Sequence, residues 1–128
     1  HTPWLAPERL AAACRGAAVG FVPYLPIRDH LEALPTKLFE YMAMGVPILA
    51  SDFPLWRDLV ERSGCGRVAA PTADALATTL EAMLAAPEAL EQCAARGPEA
   101  YRSGYRWESE REQLRWHLER ALAHGGRA

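Results

Sequence analysis

Three short apolar runs constrain this chain more than any other feature: "AAVGFVPYL" (17–25), "VPILAS" (46–51) and "GRVAAP" (66–71). Each is apolar without strict alternation, as expected for parallel strands covered on both faces. Helical patterns separate them. A helix over 35–44 stops at Gly45, with Pro47 just beyond it. "PLWRDLVERSG" follows the second run, with Leu55, Leu59 and Val60 at core spacing and Gly64 closing it. The third run is the weakest, because its residues are small. Strands alternating with helices through short loops predict right-handed βαβ units. The fold class is therefore α/β, a Rossmann-like parallel sheet with flanking helices.

The flanks are helical. "PERLAAACR" (7–15) starts with proline and stops at Gly16. From Thr72 onward the pattern is all helix. Thr72 caps "ADALATTLEAMLAA", whose Leu76, Leu80, Met83 and Leu84 form one stripe. Pro87 opens "PEALEQCAAR", and a last helix runs from about Trp107 to Ala123 with Leu114, Leu118 and Leu122 on one face. Trp56, Trp107 and Trp116 read as packing residues, and Tyr41 and Met42 as core. Residues 26–34 read as a polar loop, and the terminal "GGRA" as a frayed tail. The 128 residues are enough for one domain with a real core. The strongly apolar first run has few strands to pair with, so the segment reads as the second half of a doubly wound domain. An open edge of that kind predicts self-association of the isolated chain, through strand 17–23 or the helices beside it.

Composition excludes several functions. Half of the residues are apolar and the net charge is −2, which fits neither a disordered chain nor the basic surface nucleic acid requires. The apolar runs fall well short of the ~20 residues of a membrane span. Cys14, Cys65 and Cys93 are odd in number and widely spaced, which predicts reduced thiols rather than disulfides or a zinc site. His1, His30, His117 and His124 are scattered, so no metal site is expected. Reduced thiols and the lack of a charged-then-apolar leader set the expectation of a cytoplasmic protein.

The chemistry concentrates in "EALPTKLFEYMAMGVPILASD" (32–52). In open α/β sheets ligands bind beyond the carboxyl ends of the strands, where helices begin. The first N–H groups of a helix lack internal partners and attract anions. Here the cap position is expected at Ala33 or Leu34, neither of which can cap. The N–H groups of Thr36, Lys37 and Leu38 are then open to a phosphate, and Lys37 adds a cation. Glu40 lies on the same helix edge as Thr36 and Lys37 and can accept bonds from a vicinal diol such as a ribose. Glu32 would stand at the mouth of the same cleft, against a second polyol. Phosphates with sugars on either side describe a sugar nucleotide. The competing reading is a solvent-facing Lys37–Glu40 pair worth ~0.2–0.5 kcal/mol. Arg28 is a further candidate for phosphate, and His30 either touches substrate or is an exposed loop histidine.

The stretch "E-ALPTKLF-E-YMAMGVPILASD" resembles the E-x7-E motif of retaining, GT-B type glycosyltransferases of group 1. The similarity continues through "FPLWRDLVERSGCGRVAAPTADALATTLEAML" to "YRWESE" and so covers nearly the whole chain. Pro35 stands where many relatives have glycine, and Lys37 fits the subset that reads P-x-K-x-F-E-Y. The resemblance implies that residues 1–128 are part of the sugar-nucleotide-binding C-terminal domain. It implies that Glu40 takes the ribose, that Glu32 faces the sugar and the developing charge as the catalytic glutamate, and that Thr36, Lys37 and Leu38 face the diphosphate. It further implies a metal-independent transfer of a hexose from a sugar-nucleotide donor to a glycan or glycolipid acceptor, without a cofactor. The acceptor would be held by an N-terminal domain outside these residues, in a parent that is cytoplasmic or peripheral to the inner membrane face. Two alternatives stay open: a non-catalytic nucleotide-binding or assembly module, and a sugar epimerase or phosphorylase of the same architecture.

Overall fold

A computed structural model describes residues 6–14 and 16–125. His1, Arg15 and the tail 126–128 lie outside the described residues. Helix α1 (Pro7–Cys14) leads into strand β1 (Gly20–Val22), followed by a short helix α2 (Arg28–Leu31) and by α3 (Thr36–Met44). Strand β2 (Ile48–Ser51), helix α4 (Pro54–Ser63) and strand β3 (Gly66–Ala69) complete the α/β part. Helices α5 (Ala73–Leu84), α6 (Pro87–Gly104) and α7 (Trp107–Gly125) follow. The sheet is parallel in the order β1-β2-β3, with Gly20 opposite Ile48 and Ile48 opposite Gly66. The predicted Rossmann-like architecture is present.

Strand β2 is buried along its whole length and divides the core. On one face Ile48 and Ala50 meet Val22, Leu38, Met42, Trp56 and Leu59 from β1, α3 and α4. On the other, Leu49 meets Ala69, Leu76 and Met83. Gly45 (φ 68°) and Gly64 (φ 60°) end α3 and α4 in the left-handed conformation that the sequence predicts for them. Thr72 caps α5 by accepting from the Ala75 N–H at 3.4 Å. Of the cysteines, Cys65 is buried, and burial pushes its thiol pKa up; Cys14 and Cys93 are half-buried, and all are free.

Several expectations are corrected. The first strand spans Gly20–Val22 rather than most of 17–25, because the next N–H facing β2, that of Tyr24, goes to the Ser51 hydroxyl instead of a backbone carbonyl. The polar loop at 26–34 contains the helical turn α2. Helix α6 does not stop near Arg96 but runs through Gly97 and Pro98 to Gly104. Pro98 leaves the Ala94 carbonyl without its helical donor, and that oxygen faces Gly45, where a Cβ would approach it to 3.0 Å. Leu55 and Leu84 lie on the outer edges of their stripes and are exposed. Trp56 is fully buried as predicted, whereas Trp107 and Trp116 on α7 are exposed.

Candidate functional site

In a right-handed crossover the segment after β1 must pass over the carboxyl edge of the sheet before α3 runs back. That places residues 23–35 and the start of α3 where ligands bind in open sheets. Pro35 occupies the N-cap position, one or two residues later than expected, with extended backbone (φ −70°, ψ 142°) and no capping side chain. The Leu38 N–H is bonded to the Pro35 carbonyl at 3.1 Å, and its side chain is fully buried. Leu38 is therefore an anchor of the helix start, and the expectation of an open N–H there is corrected. Among the described residues no acceptor reaches the N–H groups of Thr36 and Lys37.

Lys37 and Glu40 are both exposed, and neither forms an ion pair among the described residues. The competing reading of a Lys37–Glu40 bridge is thus not realised. Glu32 caps the carboxyl end of α2, where its Oε1 takes a bond from Arg28 Nε at 3.1 Å. Both side chains are well exposed, so the pair is worth only a few tenths of a kcal/mol and is easily exchanged for a ligand. His30 Nδ1 lies 2.8 Å from the Leu25 carbonyl, which can only accept, so the ring donates there and Nε2 is left to other partners.

What holds this segment was not visible in the sequence. Ser51, fully buried at the end of β2, accepts from the Tyr24 N–H and donates to the Tyr24 carbonyl, both at 2.8 Å. The Trp56 indole donates to the Ala33 carbonyl at 2.7 Å. His30, Tyr24, Trp56 and Phe53 form a run of ring contacts with centroids 4.6, 5.4 and 4.8 Å apart. Asp52, at the same sheet edge, holds Arg57 through both oxygens, a pair that raises the Arg57 pKa. Tyr41 lays its half-buried ring over Gly20, where a Cβ would come within 2.6 Å of it. Burial raises its phenol pKa, helped by Cys14, Glu40 and Tyr24. A serine ending an otherwise apolar strand was the available hint for Ser51; nothing local marked the indole bond.

A cavity of about 580 Å³ lies elsewhere, lined by Gly64, Arg67, Thr79, Met83, Cys93 and Arg96. It sits toward the amino ends of the strands and contains none of the candidate residues. Among the described residues no group of His, Cys, Asp and Glu could hold a metal ion, and no helix is long and apolar enough to cross a membrane.

Comparison with known proteins adds an independent line. No curated protein matches the sequence significantly. Among solved structures, a sucrose-phosphate synthase from Thermosynechococcus elongatus superposes with a TM-score of 0.78 at 27% identity, over 91% of this chain and 28% of that one. The chain thus spans little more than a quarter of that enzyme, and its sheet and helices match a GT-B glycosyltransferase domain. The family model for glycosyl transferases group 1 matches residues 2–100, which include β1 to β3 and the whole candidate site. The chain belongs to the group 1 glycosyl transferases.

Proposed function

We propose that the chain carries part of the sugar-nucleotide site of a retaining hexosyltransferase, whose acceptor is a glycan or glycolipid bound outside these residues. One observation carries the reading. Thr36 and Lys37, whose N–H groups meet no acceptor among the described residues, and Lys37 and Glu40, whose side chains meet no ion-pair partner among them, share the start of one helix at the carboxyl edge of a parallel sheet. A donor diphosphate fits against the two N–H groups and the ammonium, which stabilise negative charge as it develops on the leaving group. Glu40, one turn further along, accepts from the two ribose hydroxyls. Glu32 exchanges Arg28 for the sugar and faces the positive charge that builds at its anomeric carbon. Arg28, released, is then a candidate for phosphate. The family membership and the likeness to a sucrose-phosphate synthase, by its name an enzyme that makes a sugar phosphate, support the class.

The test is Glu40→Gln in the intact parent enzyme, titrated with UDP-, GDP- and ADP-sugars. Glutamine keeps the shape and loses the charge. Affinity for the preferred donor is expected to fall on the order of tenfold, about the worth of a charged hydrogen bond, while Tm stays nearly constant. Unchanged affinity with a lowered Tm would return Glu40 to a structural role.

A further inference from the structure

We propose that Trp56 is a positioning residue for the Glu32 segment, acting through the Ala33 carbonyl. The inference deepens the donor-site reading above and rests on it. The segment between Val22 and Thr36 has little packing to hold it in place. Helix α2 has no buried residue, and Leu25, Ile27, Leu31 and Leu34 are all exposed. The Arg28–Glu32 pair moves with the segment and cannot fix it to the core. Its early part is tied by Ser51 to Tyr24. Its later part is tied by the Trp56 indole, and no other described donor reaches the Ala33 oxygen.

Trp56 is suited to this. It is fully buried on α4, and the edges of Tyr24 and Phe53 fix its ring plane. The N–H therefore points in one direction, and the carbonyl beside Glu32 must come to it. Helix α3 is located differently, by buried Leu38 and Met42. The two halves of the site thus have separate supports. Loss of the indole bond should spread the positions of Glu32 while leaving Thr36, Lys37 and Glu40 in place. Turnover then falls and donor KM does not, because positioning errors act on the chemical step.

The experiment uses the full-length parent and Trp56→Phe, which removes the N–H and keeps an aromatic ring. Ile48→Val serves as a control, since it loosens the same core cluster at the far end of β2 and leaves the rings around Trp56 in place. In Trp56→Phe, amides of residues 27–34 should exchange faster while residues 48–51 stay protected. With whichever of UDP-, GDP- or ADP-glucose the wild type turns over, kcat should fall on the order of tenfold, with KM within about twofold. Ile48→Val should lower Tm without that loss of kcat. Unchanged exchange at 27–34 overturns the tie itself. Faster exchange with wild-type kcat, or an equal kcat loss in Ile48→Val, overturns the positioning role. A wild-type enzyme that neither binds nor uses a sugar nucleotide refutes the donor reading and this role with it, and is recognised without reference to either variant.

Discussion

Ser51 shows how much a single side chain contributes at the sheet edge. Its hydroxyl is buried, yet both its donor and its acceptor roles are met by the backbone of one residue, Tyr24. Ser51→Ala would remove both bonds and leave a half-buried N–H and carbonyl to find water. A loss of about 1–3 kcal/mol is expected, read as a shift in the urea midpoint with an unchanged m-value. An alanine variant of wild-type stability would mean that water already serves Tyr24. At this scale the sequence was legible where placement follows from spacing. Glu40 with Thr36 and Lys37, on one edge of one helix, could be read from residue numbers. Ser51 and Trp56 could not, because their partners lie 27 and 23 residues away and no period links them. The helix start shows the same limit, since the Pro35 carbonyl claims the Leu38 N–H only through the local backbone path.

Between elements, α3 is fixed by an unusually close approach to α6. A Cβ at Gly97 would stand 3.0 Å from the Met42 carbonyl oxygen and 3.4 Å from the Met42 Cα. Helix propensity alone favours Gly97→Ala by about 1 kcal/mol. Against it, the obstacle is the backbone of a packed helix and cannot rotate away, and such overpacking costs typically 1–3 kcal/mol. The second effect should win. We expect Gly97→Ala to be destabilising by about 1 kcal/mol net, measured by chemical denaturation; an alanine variant more stable than wild type would show that α3 and α6 separate freely. This pairing also explains which elements were legible. Helix α3, strand β2 and the Thr72 cap follow from local patterns and were read correctly. The length of β1 is set by where the Ser51 hydroxyl takes the Tyr24 N–H, and the continuation of α6 by what Gly97 and Pro98 meet on α3. Glycine followed by proline looks like a helix end until the partner that requires a glycine there is known.

For the whole molecule, the sequence led us to expect self-association through strand 17–23 or the helices beside it, and the structure redistributes the surfaces on which that rests. The Gly20 N–H bonds to Pro47, so in a parallel ladder the backbone of Phe21 faces outward. With Pro23 two residues on, the open edge of β1 is too short to template much pairing. The larger apolar surface is on α7, where Leu114, Leu118 and Leu122 are 50%, 55% and 77% exposed and Trp107, on the same face by helical spacing, 63%. Each has on the order of 1 kcal/mol of burial still to gain, or about 4 kcal/mol together. A dimer buries that face on both copies, about 8 kcal/mol, and association costs at least about 4 kcal/mol, which leaves a Kd near 1 mM at the tightest. We therefore predict that the 128-residue chain is monomeric at micromolar concentration and gains mass only as it approaches about 1 mM. Sedimentation equilibrium over that range is the measurement. Leu114→Glu with Leu118→Glu should abolish the gain, while Phe21→Lys should leave it. A tight dimer at micromolar concentration that Phe21→Lys dissolves would show that the sheet edge, short as it is, dominates association.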